Sequence, residues 1–307
     1  MKKIINRRLP RNTMKDTKAD RVFYVVNGVL MFLLFLLYAW PLWFILIASV
    51  SDPNYVQAGQ VLLWPKGFHW GGYKLILENE ALVRGYLNSI VYTVAGTILN
   101  IIMTICAAYP LSKKDFLPRK FFATFFIFTM YFSGGLIPLF LQVRDLGLYN
   151  SPLAMIVPSA VSIYNVLILR SNFMYGVPES LQEAAVLDGA NTFQMLWKVI
   201  LPLVKPTLAV LVLYYAVGHW NDYFSALVFL KDNELMPLQT VLRDILIVGK
   251  IDMSTGGMEM EAIIEKLKTA QTLKYSIIVI STVPLMLVYP FIQKHFVKGI
   301  MVGAVKG

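Results

Sequence analysis

Apolar residues fall in six long runs separated by shorter polar stretches, and none of the runs alternates apolar and polar positions. A bilayer core about 30 Å thick takes about 20 apolar residues in helical form. Runs of that size lie within 22–50, 85–112, 121–143, 146–169, 206–230 and 275–293. An open strand would leave backbone groups unpaired in lipid, and the runs lack the two-residue period of barrel strands. The pattern therefore predicts an all-α membrane protein with six transmembrane helices.

The polar stretches carry structure of their own. Residues 178–188 predict a helix of about three turns, with Pro178 at its first position, Glu179 at the positive end of the dipole and Gly189 as its stop. Thr192 is placed to cap the next helix, which leads through Leu201-Pro202 into the fifth run. On the short helix Leu181, Ala184, Ala185 and Leu187 or Asp188 make a small-to-apolar face, and Glu183 offers a carboxylate to a basic partner. The stretch 52–84, with Pro53, Trp64, Pro65, Trp70 and Gly71-Gly72, reads as an interfacial cap. The longest connection, 231–274, predicts a surface helix over 236–248 and an amphipathic one over 258–270.

Charge sets the orientation. Of the 307 residues 57% are hydrophobic and 15% charged, well below the quarter usual for soluble domains. The net charge of +10 would point to nucleic acid in a soluble protein; here it fits basic cytoplasmic loops instead. Eight Lys or Arg residues stand in 1–21, four more (Lys113, Lys114, Arg119, Lys120) between the second and third runs, and Lys294, Lys298 and Lys306 after the sixth. Both termini and the 170–205 loop are thus expected in the cytoplasm of a multi-pass plasma- or inner-membrane protein. The uncharged stretch 22–51 is too long for a signal h-region of roughly 7–15 residues and reads as a retained span. The expected organisation is a basic arm (1–21), a transmembrane domain (22–294) with the loops 170–205 and 231–274, and a cytoplasmic tail (295–307).

Candidate chemistry inside the spans centres on the fifth. A charge at the bilayer centre costs roughly 2.5–3.5 kcal/mol on insertion scales, which singles out Asp222. Tyr215, His219 and Asp222 are spaced four and three apart, on one helical face, with Trp220, Asn221 and Tyr223 beside them. Such a set suits a sugar: rings stack on its C–H faces while Asp and Asn accept its hydroxyls. It equally suits helix-to-helix hydrogen bonding, as do Tyr164 and Asn165 in the fourth run. His69, His219 and His295 show no metal-ligand spacing, Cys106 is the only cysteine, and no Gly-x-Ser-x-Gly elbow occurs, so neither a metal site nor a membrane-embedded enzyme is expected. No Gly-x4-Gly-Lys-Ser/Thr loop is present, so ATP, if used, is bound elsewhere. An ion-coupled secondary transporter or channel is the rival reading, although ion-coupling residues in several spans are not seen.

The order Glu183-Ala184-Ala185, three residues, Gly189, nine residues, Val199, one residue, Leu201-Pro202 resembles the signature loop of ATP-binding-cassette importer permeases, with Val199 where isoleucine is more usual. Glu183 to Ala190, the preceding Pro178-Glu179-Ser180-Leu181 and Trp220-Asn221-Asp222-Tyr223 look like the carbohydrate-uptake branch. Ser133 to Pro138 and Asp145 to Asn150 resemble the lipoprotein-C type polysaccharide subgroup, and the tail from Gln293 is similar to that of maltose permease G subunits. The resemblance implies a type I, MetI-like permease fold whose 178–188 helix is a cytoplasmic coupling helix. Glu183, Ala184, Ala185, Asp188, Gly189, Leu201 and Pro202 would then couple to the ATPases. It also implies a second, different permease subunit, two ATPase subunits that bind Mg-ATP, an extracytoplasmic solute-binding protein and a carbohydrate substrate, with no cofactor held by this chain.

Overall fold

The computed structural model describes residues 17–251 (backbone alone from 246), 273–287 and 290. Two compact units divide it, 1–68 and 69–307. The expected helix over 258–270, the basic arm before Thr17 and the tail lie outside the described residues.

In the first unit α1 (Lys18–Ser49) is one long apolar helix. It starts in a capping box: Thr17 Oγ1 accepts from Asp20 N, and Asp20 Oδ2 accepts from Thr17 N. Hydrogen bonds from the Thr17 side chain and backbone hold the Asp20 carboxyl below the ordinary carboxylate range. Most side chains from Val22 to Leu46 are exposed, as expected of a helix whose surroundings are lipid or protein rather than water. The chain then folds back through α2 (Pro53–Gln57), closed by Asp52 N–H to Lys66 O (3.0 Å) and Trp43 Nε1–H to Leu63 O (3.0 Å).

The second unit is built on α4 (Glu80–Ser112), preceded by α3 (Gly71–Glu78). At 33 residues α4 is about 50 Å long. Its buried stripe is small and polar rather than greasy: Gly85, Ser89, Tyr92, Gly96, Asn100, Thr104 and Ala108, at intervals of three and four. Isoleucine and valine face outward, including Ile90, Val94, Ile98 and Ile102. This inverted amphipathicity is what helix packing within a bilayer selects, because lipid removes the penalty for exposed apolar groups.

Around α4 stand α5 (Arg119–Tyr131), α6 (Leu136–Asp145), α7 (Ile163–Tyr175), α11 (Lys205–Trp220) and α13 (Leu238–Ile251). Between α7 and α11 come α8 (Glu179–Leu187), then a continuous helical stretch of α9 (Thr192–Gln194), a π-helical segment Met195–Ile200, and α10 (Leu201–Leu203). The short α12 (Phe224–Phe229) follows α11, and α14 (Leu273–Leu287) is the last described helix.

Several runs read as single spans are broken. The third is split into α5 and α6, bent by 115°, at an extended link where Gly135 adopts φ +91. The fourth is not helical over most of 146–162, where Pro152 and Pro158 fall; its helix, capped by Ser162, starts at Ile163 and runs past 169 to Tyr175. The fifth ends as a helix at Trp220, resumes at Phe224, and is preceded by an 83° bend at Val204. Among the described residues two helices, α1 and α4, are long and apolar enough to cross a membrane, or four if each bent pair is one span. The helix expected over 236–248 is α13, displaced by two residues at its start and three at its end.

Three apolar clusters line α4. One joins Ala108, Tyr109 and Leu111 to α7 and to residues 195–211; the next joins Tyr92 to Val143, residues 154–156 and α12; the third joins Leu82 to Trp220, α13 and α14. The first residues of α4 also clasp the chain entering α13. Asn88 Nδ2 donates to Glu234 O (2.8 Å), Tyr92 Oη to Leu235 O (2.8 Å), and Leu238 N–H to Ser89 Oγ (2.9 Å).

Candidate functional site

The segment from Pro178 to Leu203 presents an exposed surface between α7 and α11. Pro178 precedes α8 as its N-cap rather than its first residue, and Glu179 occupies the first turn. The far end is a Schellman motif: Ala190 N–H donates to Ala185 O (2.9 Å) and Gly189 N–H to Val186 O (3.0 Å), with Gly189 at φ +79. The sequence-predicted glycine stop is therefore a left-handed residue that other side chains tolerate poorly. Asn191, not Thr192, caps the next helix: Asn191 Oδ1 accepts from Gln194 N, and Gln194 Oε1 accepts from Asn191 N. The Asn–x–x–Gln spacing satisfies both orphan donors, which Thr192 cannot do one residue later.

The face expected on α8 divides in two. Ala185 packs inward on the cluster that contains Phe173, Met195 and Ile200. Glu183, Ala184, Asp188 and Gly189 are exposed, as are Leu181, Val186 and Leu187, the last at 89%. Beside them Phe193 (69%) and Trp197 (56%) stand exposed with ring centroids 5.9 Å apart. Leu201 is buried and Pro202 exposed where the stretch approaches its bend. Phe193 and Trp197 escape a reading of the faces of α8, because they lie beyond the Gly189 turn.

The polar residues of the fifth run do not line one open surface. Tyr215 Oη and Thr104 Oγ1 share a hydrogen at 2.7 Å, and His219 Nε2 lies 2.7 Å from Asn100 Oδ1. Asn100 Nδ2 donates to Ser159 O, which leaves Oδ1 as the acceptor and makes His219 Nε2 the donor. Trp220 donates from Nε1 to Ser281 O (2.9 Å) and meets Tyr86 edge-on. Asp222 falls outside α11; its Oδ1 accepts from Ser225 N and starts α12. Asn221 and Tyr223 are exposed, Asn221 Nδ2 donating to Val217 O. Of the pair in the fourth run Tyr164 is exposed and Asn165 buried. Of the face expected of Tyr215, His219 and Asp222, the first two turn toward α4, where Thr104 offers a hydroxyl and Asn100 an amide, whereas Asp222 caps α12 instead.

Among the described residues the chain is all-helical, with a glycine-terminated small-residue helix lying between apolar helices. The chain belongs to the family of binding-protein-dependent transport system inner membrane components, whose profile matches residues 19–302. It is 37% identical over 296 residues to Protein LplC of Bacillus subtilis, covering 96% of this chain and 99% of that one. It is equally 37% identical over 300 residues to the polygalacturonan/rhamnogalacturonan transport system permease protein YtcP of the same organism, covering 96% and 100%. Among solved structures it superposes with TM-score 0.82 and 35% identity on a chain of a bacterial ABC transporter involved in the import of the acidic polysaccharide alginate, covering 92% of this chain and 99% of that chain. The protein is a permease component of an ABC importer with the MetI-like fold, a constituent of the inner membrane.

Proposed function

We propose that this chain is one of two different permease subunits of an ATP-driven importer for oligosaccharides or polysaccharide fragments, with α8 as its coupling helix. The observation that carries the coupling role is the exposed Glu183, Ala184 and Leu187 surface, held on a helix with a hydrogen-bonded stop at Gly189. Two cytoplasmic ATPases each grip one such helix, an extracytoplasmic binding protein delivers the sugar, and closure of the ATPases on Mg-ATP rocks the bundle. Both termini and α8 lie in the cytoplasm, following the basic residues. Six crossings result if α5 with α6, and α11 with α12, each make one broken span beside α1, α4, α7 and α14. Irregular backbone at membrane depth is tolerated where protein buries it.

YtcP is named for polygalacturonan/rhamnogalacturonan transport and the alginate importer for an acidic polysaccharide, whereas relatives of lower identity are named for arabinooligosaccharides and for melibiose, raffinose and stachyose, so acidic oligosaccharides are the first ligands to try. Exposed Tyr164 and Asn221 are the better candidates for the sugar passage, whereas Tyr215, His219 and Trp220 brace α11 against its neighbours. The test uses right-side-out vesicles carrying the assembled complex and its binding protein. Uptake of oligogalacturonides or alginate fragments requires luminal ATP and ignores ion gradients; uptake driven by an ion gradient without ATP rejects the reading. Gly189→Val and Glu183→Lys leave the complex in the membrane and lower ATP-dependent uptake by about tenfold or more, the scale of a typical coupling energy. Normal uptake by both rejects the coupling role of α8.

A further inference from the structure

On the side turned to the bundle, α8 presents a narrow stripe, Glu179, Gln182 and Ala185, spaced three apart. Ala185 packs into the cluster below it, Gln182 Oε1 accepts from Lys113 Nζ at 2.6 Å, and Glu179 pairs with Lys114 at 3.0 Å. The Lys114 pair is exposed on both sides, the kind of contact that contributes little. Lys113 is placed differently. It is the C-cap of α4, its N–H donates to Pro110 O, and its carbonyl accepts from Arg119 Nη1 (3.5 Å). Its ammonium sits 4.9 Å from the centroid of Tyr109, a ring that meets Phe173 of α7 edge-on at 6.1 Å. Arg170 of α7 donates to Leu111 O close by (2.9 Å).

Of the two covalent routes from α8 into the bundle, one is the short link 176–178 back to α7, and the other, forward to α11, is a compliant one. It passes the left-handed Gly189, a π-helical segment and the 83° bend at Val204 before reaching α11. The route through Lys113 enters the end of a 33-residue helix that touches all three apolar clusters and clasps residues 234–238 at its other end. We propose that Lys113 and Gln182 form a strut that carries displacement of α8 directly into α4, making them positioning residues for the coupling of nucleotide hydrolysis to transport. This rests on the coupling role of α8 proposed above. Partial burial pulls the Lys113 pKa down, opposed by the charge of Asp115, so the ammonium is held at a desolvation cost that its partners offset.

The binding protein sits on one side of the membrane and the ATPases on the other, so stimulation of hydrolysis by the binding protein reads transmission through this chain. The experiment measures MgATP hydrolysis by the complete complex in nanodiscs, with and without the binding protein, for wild type, K113M, Q182L, K114M and K113Q/Q182K. Co-purification of all subunits shows that each variant has assembled. Stimulation falls about five- to tenfold in K113M and in Q182L, is retained in K114M, and recovers by about half in K113Q/Q182K, where ammonium and amide have traded helices and the donor still meets an acceptor. The exchange separates transmission from loss of fold, because it restores the bond and not the original side chains. Wild-type stimulation in assembled K113M, or an exchange no better than either single variant, overturns the strut and leaves the coupling helix standing. A wild-type complex whose hydrolysis ignores the binding protein overturns the coupling role itself.

Discussion

Gly96 and His219 show how much one missing side chain decides. A Cβ at Gly96 would overlap the imidazole of His219, so α4 and α11 approach at this height only because position 96 carries none. Gly96→Ala must push the ring off Asn100 or part the helices, at a cost of about 1–3 kcal/mol, the usual range for overpacking. Thermal unfolding of the purified complex measures it. His219→Ala removes both the clash and the hydrogen bond, so Gly96→Ala adds little on top of it; additive losses would mean the two sites are independent. His219 was legible in the sequence, since a histidine in an apolar run stands out; Gly96 was not. Nor were the polar partners. His219 and Asn100 are 119 positions apart, Tyr215 and Thr104 111, and Asn100 and Ser159 59, and nothing in local periodicity pairs them.

At the scale of elements, local signals did well where the backbone settles its own ends. The stop at Gly189 and the start near Pro178 came from capping chemistry, and both stand within one residue of the observed bounds of α8. The breaks at 132–135, 146–162 and 221–223 were missed, because hydropathy counts apolar residues without asking whether their backbone is helical. One of these irregular stretches is held by Asn150, at φ +55. Its N–H donates to Phe229 O (2.8 Å), Oδ1 accepts from Lys231 N and Asp232 N (2.9 Å each), and Nδ2 donates to Asp232 Oδ2 (2.8 Å). Asn150→Asp sets two carboxylates against each other and lowers the stability of the complex, whereas Asn150→Asp with Asp232→Asn restores donor to acceptor. Asn150→Gly keeps the left-handed backbone but loses the side-chain bonds, at about 1 kcal/mol each. Thermal unfolding ranks the three, and a double variant no more stable than Asn150→Asp would show that the latch is not what joins these loops.

Across the whole molecule, composition and the placement of lysines and arginines determined the class: a helical membrane protein, with a glycine-stopped helix placed between two spans. Those properties are additive along the chain, because transfer into lipid and helix capping depend on a residue and its near neighbours. Which polar groups face one another, where the spans break, and which side of α8 turns outward were decided only in three dimensions. Lipid accepts apolar surface on any side of a helix, so hydrophobicity does not say which stripe of α4 is inside; the fit of Gly96, Asn100 and Thr104 against α11 does. Lys113 marks the same division, a topology signal in the sequence and, in the folded chain, a side chain bonded to Gln182.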